Sequence, residues 1–380
     1  PVKTLSLDEA IQTAVNNNKN VALAVMDEKI SLSNYKQTEA IHLPQVSLSY
    51  TALVTDNPLN AFGVKLQQSK ITANDFNSAL LNNPAAASDF MTRLDVQQPI
   101  INLDRNYQRK AALKQTEVYQ FKTQRTKEFI TYQVQQAYLQ LQLAYEAKKV
   151  LEATLQTVNA LLKFSNDRYA QGLLQKSDVL NVEVQIKSVE TNIAATKNNI
   201  ADASDYLSML MNVPATTVYT AAPLLLTANV TSADSLSLTR ADFKAMRRAI
   251  ESCNLNIESS MKSYLPRLNA FANYQLNDSK IFGFGANAYM AGLQLSWDIF
   301  KGNQTKNKIS TQILERNKVA DELAKQQQES TTELQKTKRQ LADAMYKMKQ
   351  QQAAIQLADE ALRILQNRYA QGLVNTTDVL

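Results

Sequence analysis

The chain has 380 residues with one cysteine, Cys253, and one histidine, His42, which excludes an internal disulfide and removes most familiar zinc arrangements. Its formal charge of +6 is spread along helical patterns as a solvated face, and the basic runs Arg105 to Lys114 and Lys244 to Arg248 lack the fold and stacking aromatics of a nucleic-acid binder. No stretch reaches the ~18–20 apolar residues of a membrane-spanning helix, which leaves a β-barrel open because its trace is weaker.

A chain opening at Pro1 reads as one whose leader has already been removed. The first helix is expected from Ser6, a plausible cap with Asp8 and Glu9 in the first turn, to about Ile41, with a break near Asn16 to Asn20 and a stop at Pro44. Val46, Leu48, Tyr50 and Ala52 then alternate with Gln45, Ser47, Ser49 and Thr51, which predicts a strand over about 45–54. Residues 56–90 read as a long, structured excursion, a lid or an external surface. A second strand is expected over about 91–101, with Thr92, Leu94, Val96, Gln98 and Ile100 on one side and Arg93, Asp95 and Gln97 on the other.

No Gly or Pro occurs from Ile100 to Gln171, from Leu173 to Val213, or from Asn303 to Gln371. A helix filling the first gap would be on the order of 100 Å long, so neighbouring helices must support it. Tyr138, Leu141, Tyr145, Leu151, Leu155, Val158 and Leu162 give it a seam at steps of three and four. It ends at Gly172, read as a left-handed C-terminal glycine, and the return helix is expected to start at Ser177-Asp178 and run to about Leu210. Residues 211–237 form a mixed segment without a clear period.

The chain then repeats itself. A helix starts at Arg240-Ala241-Asp242-Phe243-Lys244-Ala245 and stops at Leu265-Pro266, as the earlier one does at Leu43-Pro44. Strands are expected over about 267–277 and 288–300, the second including Trp297 and Ile299. The long helix returns after Gly302, with Ile355, Ala358, Leu362 and Leu365 as its seam. Arg168-Tyr169-Ala170-Gln171-Gly172-Leu173 with Asp178-Val179-Leu180 recurs as Arg368-Tyr369-Ala370-Gln371-Gly372-Leu373 with Asp378-Val379-Leu380, nine of thirteen positions identical at an offset of 200. The repeats are therefore 1–210 and 238–380. By the same offset a second return helix is expected beyond Leu380, as in a truncated or incompletely ordered chain.

Four amphipathic strands of about ten residues have the length of tilted barrel strands, with Tyr50, Tyr274, Tyr289 and Trp297 suited to aromatic girdles. Four strands cannot close a barrel, and an open edge cannot face lipid, so several chains must share one barrel. The alternative is two soluble hairpins on a coiled-coil scaffold.

The Leu-Pro pairs, Gln98-Pro99-Ile100-Ile101, Ser296-Trp297-Asp298-Ile299-Phe300-Lys301-Gly302, Arg240 to Ala245 and both Arg-Tyr-x-x-Gly-Leu tips resemble, jointly and in order, the TolC-like outer-membrane efflux proteins. The 56–90 excursion is similar to the long, ordered external loop of one subgroup. The resemblance implies a mainly α fold: duplicated antiparallel helical hairpins forming a periplasmic α-barrel, and four strands per chain in a trimeric twelve-stranded β-barrel in the Gram-negative outer membrane. It implies a passive duct for efflux or type I secretion, with no cofactor and no metal. A periplasmic adaptor and an inner-membrane RND, ABC or MFS transporter would be its partners. The adaptor would dock on the tips, at Arg168, Tyr169, Gly172, Leu173, Arg368, Tyr369, Gly372 and Leu373. The periplasmic gate would involve Asp378, the first acid of the entrance ring, and the restraining Tyr369, whereas the restraining arginine of the family falls on Val374. Asp378 reads equally as a helix N-terminal acid worth ~0.3–1 kcal/mol. No enzyme is expected, because no nucleophile sits beside a strained glycine turn.

Overall fold

The computed structural model describes residues 2–222 and 235–374. In chain order, β1 (Val2–Leu5) leads into α1 (Leu7–Asn17), whose start is capped by Ser6 Oγ accepting the Glu9 amide at 3.2 Å. The expected break falls at Asn18. Its Oδ1 accepts the Asn20 amide at 2.8 Å, opening α2 (Lys19–Gln37), while its Nδ2 donates to the Leu210 carbonyl at 2.8 Å. After a 3-10 turn at Thr38–Ile41 comes β2 (Gln45–Thr55). The excursion contains α3 (Pro58–Gln67), a 3-10 turn (Ala73–Phe76) and α4 (Ser78–Asn82). The next strand, β3 (Ala87–Ile101), begins earlier than its sequence pattern suggests because β2 runs to Thr55, which pairs with Ala87.

The uninterrupted α5 (Leu103–Ala170) spans 68 residues, and its Thr116, Thr126, Thr131, Thr154 and Thr157 hydroxyls each donate to the carbonyl four residues back, which satisfies them within the helix as second donors to its own acceptors. It is followed by α6 (Lys176–Met211), β4 (Val218–Ala221), α7 (Ala241–Lys262), β5 (Arg267–Asp278), β6 (Ala286–Ser296) and α8 (Gln304–Ala370). Other limits differ from expectation as well, α7 ending at Lys262, three residues before Leu265. Helix α6 starts at Lys176, one residue before Ser177. Strand β6 stops at Ser296, leaving Trp297 and Ile299 outside, because its partner β5 starts at Arg267, directly after Pro266, which has no N–H to extend the ladder. The short β4 emerges inside the segment that shows no period, since four residues are too few to reveal alternation.

The chain divides into two compact units, Pro1–Asp27, Gln120–Lys244 and Leu323–Leu380 in one, and Glu28–Tyr119 and Ala245–Glu322 in the other. In the first, β1 pairs in parallel with β4, Val2 opposite Val218 and Leu5 opposite Ala221. Its core gathers Leu5, Ala10, Ala14, Ile130, Val134, Tyr138, Leu141, Leu207 and Tyr219. The Tyr138 hydroxyl, buried there, lies 2.8 Å from the Leu5 carbonyl and 3.1 Å from that of Ala222, so the ring fills the core while its polar end is satisfied. Farther along α5, Val158 packs against Val182 and Ile186 of α6, with Leu155 and Leu162 beside them, as the seam requires. The matching seam of α8 is not covered within one chain: Ile355 is 59% exposed and Leu362 is exposed too.

The second unit holds an antiparallel sheet in the order β2-β3-β5-β6. Its register aligns Leu48, Leu94, Tyr274 and Tyr289 across the four strands, with Val46, Val96, Ala272 and Ala291 one step away. The opposite face carries Ser47, Asp95, Asn273 and Met290, then Ser49, Arg93, Gln275 and Ala288. One face is thus apolar and aromatic, the other largely polar. Gln68, just past α3, donates to the Asp89 carboxylate at 2.9 Å, and Asn277 of β5 donates to its other oxygen at 2.7 Å. Ala61, Val64 and Ala87 close a small core beneath them. Helices α5 and α7 are joined by an alternating ring of charge, Lys114–Glu117 at 3.0 Å, Glu117–Arg248 at 2.8 Å, Arg248–Glu251 at 2.7 Å and Glu251–Lys114 at 3.3 Å. Burial pushes the Glu251 carboxyl up, but hydrogen bonds from Arg248 and Lys114 outweigh it and hold the group below its ordinary value.

Candidate functional site

Each repeat ends its long helix in the same way. Gly172 has φ of 73° and Gly372 of 76°. In the first copy the Leu173 amide donates to the Arg168 carbonyl at 2.9 Å and the Gly172 amide to that of Tyr169 at 2.9 Å; the second copy repeats this with Leu373 to Arg368 and Gly372 to Tyr369. This is a Schellman closure, and the left-handed residue has to lack a Cβ for it to form without strain. Leu173 and Leu373, next in line, are exposed. On the return side, the Asp178 carboxylate accepts the Gln175 amide at 3.1 Å, so the acid caps from inside the first turn of α6. Asp378 lies outside the described residues.

The two tips are alike in backbone and unlike in side chains. Tyr169 is 43% exposed, with the Lys176 ammonium 5.6 Å from its ring centroid. Tyr369 is 4% exposed and sits against the end of α5. Its ring lies 5.2 Å from that of Phe164, its hydroxyl 3.4 Å from Ser165 Oγ, and the Arg168 guanidinium stands 4.7 Å over Phe164 and 5.7 Å over Tyr369. Arg168, an expected docking residue, is therefore part of the contact that holds the second tip to the first. Val374, where the resemblance places an arginine, brings no charge to this contact.

Periodicity does not mark Phe164 and Ser165, which lie inside a helix whose apolar residues all look like seam. Two hundred positions on, their counterparts are Ile364 and Leu365, but Lys163, Asn166 and Asp167 are also replaced, by Arg363, Gln366 and Asn367, so the substitution does not single the pair out.

A family model described as outer membrane efflux protein matches residues 10–213 and 233–380. Comparison with curated proteins gives no significant match. Among solved structures, CusC is similar with a TM-score of 0.79 at 16% identity, over 98% of this chain and 84% of that one. The outer membrane protein VceC of Vibrio cholerae gives 0.78 at 18% identity, over 98% and 88%. The CmeC outer membrane channel of Campylobacter jejuni gives 0.78 at 14% identity, over 98% and 78%. At these identities the likeness establishes the fold, long helical hairpins with a four-stranded sheet per chain.

Proposed function

Because the chain belongs to the outer membrane efflux protein family, we propose that it is the outer-membrane duct of a tripartite drug-efflux pump or a type I secretion system, working as a homotrimer. The observation that carries this reading is the sheet. It has one apolar, aromatic face suited to lipid and one largely polar face suited to a water-filled lumen, and among the described residues its outer strands β2 and β6 each have one unpaired edge. In lipid an unpaired edge is prohibitive, and three copies joined edge to edge remove all six.

On this reading the tips point towards the cell interior. The exposed Leu173 and Leu373, with Tyr169 and Arg368, offer the periplasmic adaptor a repeated surface, and an RND, ABC or MFS transporter supplies the energy. The cluster of Phe164, Ser165, Arg168 and Tyr369 acts as the restraint on the entrance: an arginine from the first repeat takes the part that Val374 leaves vacant in the second. Asp378 contributes to an acid ring there.

Expression in a Gram-negative strain lacking its own duct tests the reading. The expected results are recovery with the outer-membrane fraction, a heat-sensitive trimer, and restored drug resistance when the cognate adaptor and transporter are supplied. Extraction as a soluble monomer without detergent would point instead to a coiled-coil scaffold.

A further inference from the structure

Where the strands give way to helices, several cations are matched. Arg267 pairs with Asp104 at 2.6 Å, Arg109 lies 3.7 Å from Glu39 and donates to the Tyr35 hydroxyl at 3.2 Å, and Lys301 pairs with Asp298. Two are not. The ammonium of Lys110, on α5, lies 4.9 Å from the ring centroid of Tyr107, and that of Lys262, the last residue of α7, lies 6.0 Å from the same centroid. Neither has a carboxylate within 4.0 Å among the described residues, and the exposed Arg105 on the preceding turn has none either.

Two like charges drawn to one neutral ring leave a local excess of positive potential, which attracts an outside anion. What surrounds them narrows the anion. Leu103, which opens α5, and Tyr264 and Leu265, directly after α7 and Lys262, are exposed, as is Trp297, whose indole is fixed by donating to the Tyr264 carbonyl at 2.9 Å. A cationic pair beside exposed apolar and aromatic side chains matches an amphiphile, an acyl chain below a phosphate, better than a free ion that would use the lysines alone. Basic residues at such a level attract anionic lipid.

We propose that Lys110 and Lys262, gathered at the Tyr107 ring, bind the headgroup phosphate of an anionic phospholipid in the periplasmic leaflet of the outer membrane. The proposal rests on the barrel reading of the sheet. In that setting the site lies one to two helical turns beyond the strand ends, the depth at which headgroups are found.

The test uses the purified full-length trimer in non-ionic detergent. Native mass spectrometry follows binding of phosphatidylglycerol and phosphatidylethanolamine, with inorganic phosphate as competitor. The wild type is expected to prefer phosphatidylglycerol, each of Lys110→Gln and Lys262→Gln to weaken it about fivefold, and the double variant about 25-fold. Tyr107→Leu, which frees the lysines without removing charge, is expected to fall between wild type and double variant. Unchanged phosphatidylglycerol binding in the double variant overturns the proposal. So does equal competition by inorganic phosphate, which marks a free-anion site, and so does trimer dissociation in the double variant with lipid binding intact, which marks a contact with a neighbouring copy. The channel reading is judged separately by outer-membrane fractionation of the wild type, so its failure and the failure of the lipid site are told apart.

Discussion

At the scale of single residues, the tip contact has a measurable worth. The aromatic pair of Phe164 and Tyr369 and the guanidinium above them each contribute about 0.5–1.5 kcal/mol. Phe164→Ala removes the aromatic pair and the nearer of the two guanidinium contacts and leaves the longer one, to Tyr369. If the cluster restrains the entrance, this variant is expected to raise the open population roughly 5- to 100-fold. Single-channel recording in planar bilayers reads it, and unchanged conductance and gating would show the cluster to be packing only. Gly172→Val acts differently: at a φ of 73° a β-branched residue is strained by about 1–2 kcal/mol whatever the space around it. Drug resistance is expected to drop with trimer assembly intact, and full resistance would remove the tip from the docking surface. A third residue sets a pH window. Asp75 is drawn down to about 2 by the hydrogen bond from Lys65 and then by the backbone and hydroxyl of Thr72. A depressed carboxyl stabilises the fold above its unfolded value near 3.8, and that contribution disappears as pH falls towards 2. Protection of the Thr72 amide from hydrogen exchange should therefore hold at pH 5 and fade between about 4 and 2; loss already at pH 5 contradicts the assignment.

At the scale of elements, the sequence reveals what is periodic and conceals what is paired over distance. The long helices are legible because runs without Gly or Pro leave the chain nothing else to form, and the tip glycines because a left-handed closure needs them. The partition between Tyr169 and Tyr369 is not legible, since two identical hexapeptides differ only in what approaches them. Strand limits are set by the partner: Thr55 carries β3 back to Ala87, and Pro266 ends β6 at Ser296. The 56–90 excursion shows the same lesson. Its helix is anchored by Gln68, which meets Asp89, 1% exposed and with no cation within 4.0 Å among the described residues. Gln68→Ala leaves that carboxylate with Asn277 as its remaining side-chain donor, a loss of about 1–3 kcal/mol. Thermal unfolding of the purified protein should shift downward accordingly. Deletion of 58–84 should share that loss yet still assemble if the loop is external, and a monomeric product would place the loop at a subunit contact.

At the scale of the whole molecule, the reading depends on which face of the sheet meets lipid, and one strand can decide it. Leu48 and Ser47 are neighbours on β2 with opposite directions: Leu48 joins Leu94, Tyr274 and Tyr289, whereas Ser47 lies opposite Asp95. A lysine at position 48 would place an ammonium in hydrocarbon, at a cost of ~2–4 kcal/mol near the bilayer midplane. A lysine at position 47 would stand in water across from a carboxylate and cost little. Leu48→Lys is therefore expected to reduce the yield of heat-sensitive trimer in the outer membrane, while Ser47→Lys assembles normally and shifts the ion selectivity of the reconstituted channel towards anions. A soluble hairpin with its apolar face on a core predicts a loss at position 48 as well, but it predicts no conductance for position 47 to alter. The second variant thus separates the two architectures that the first leaves together.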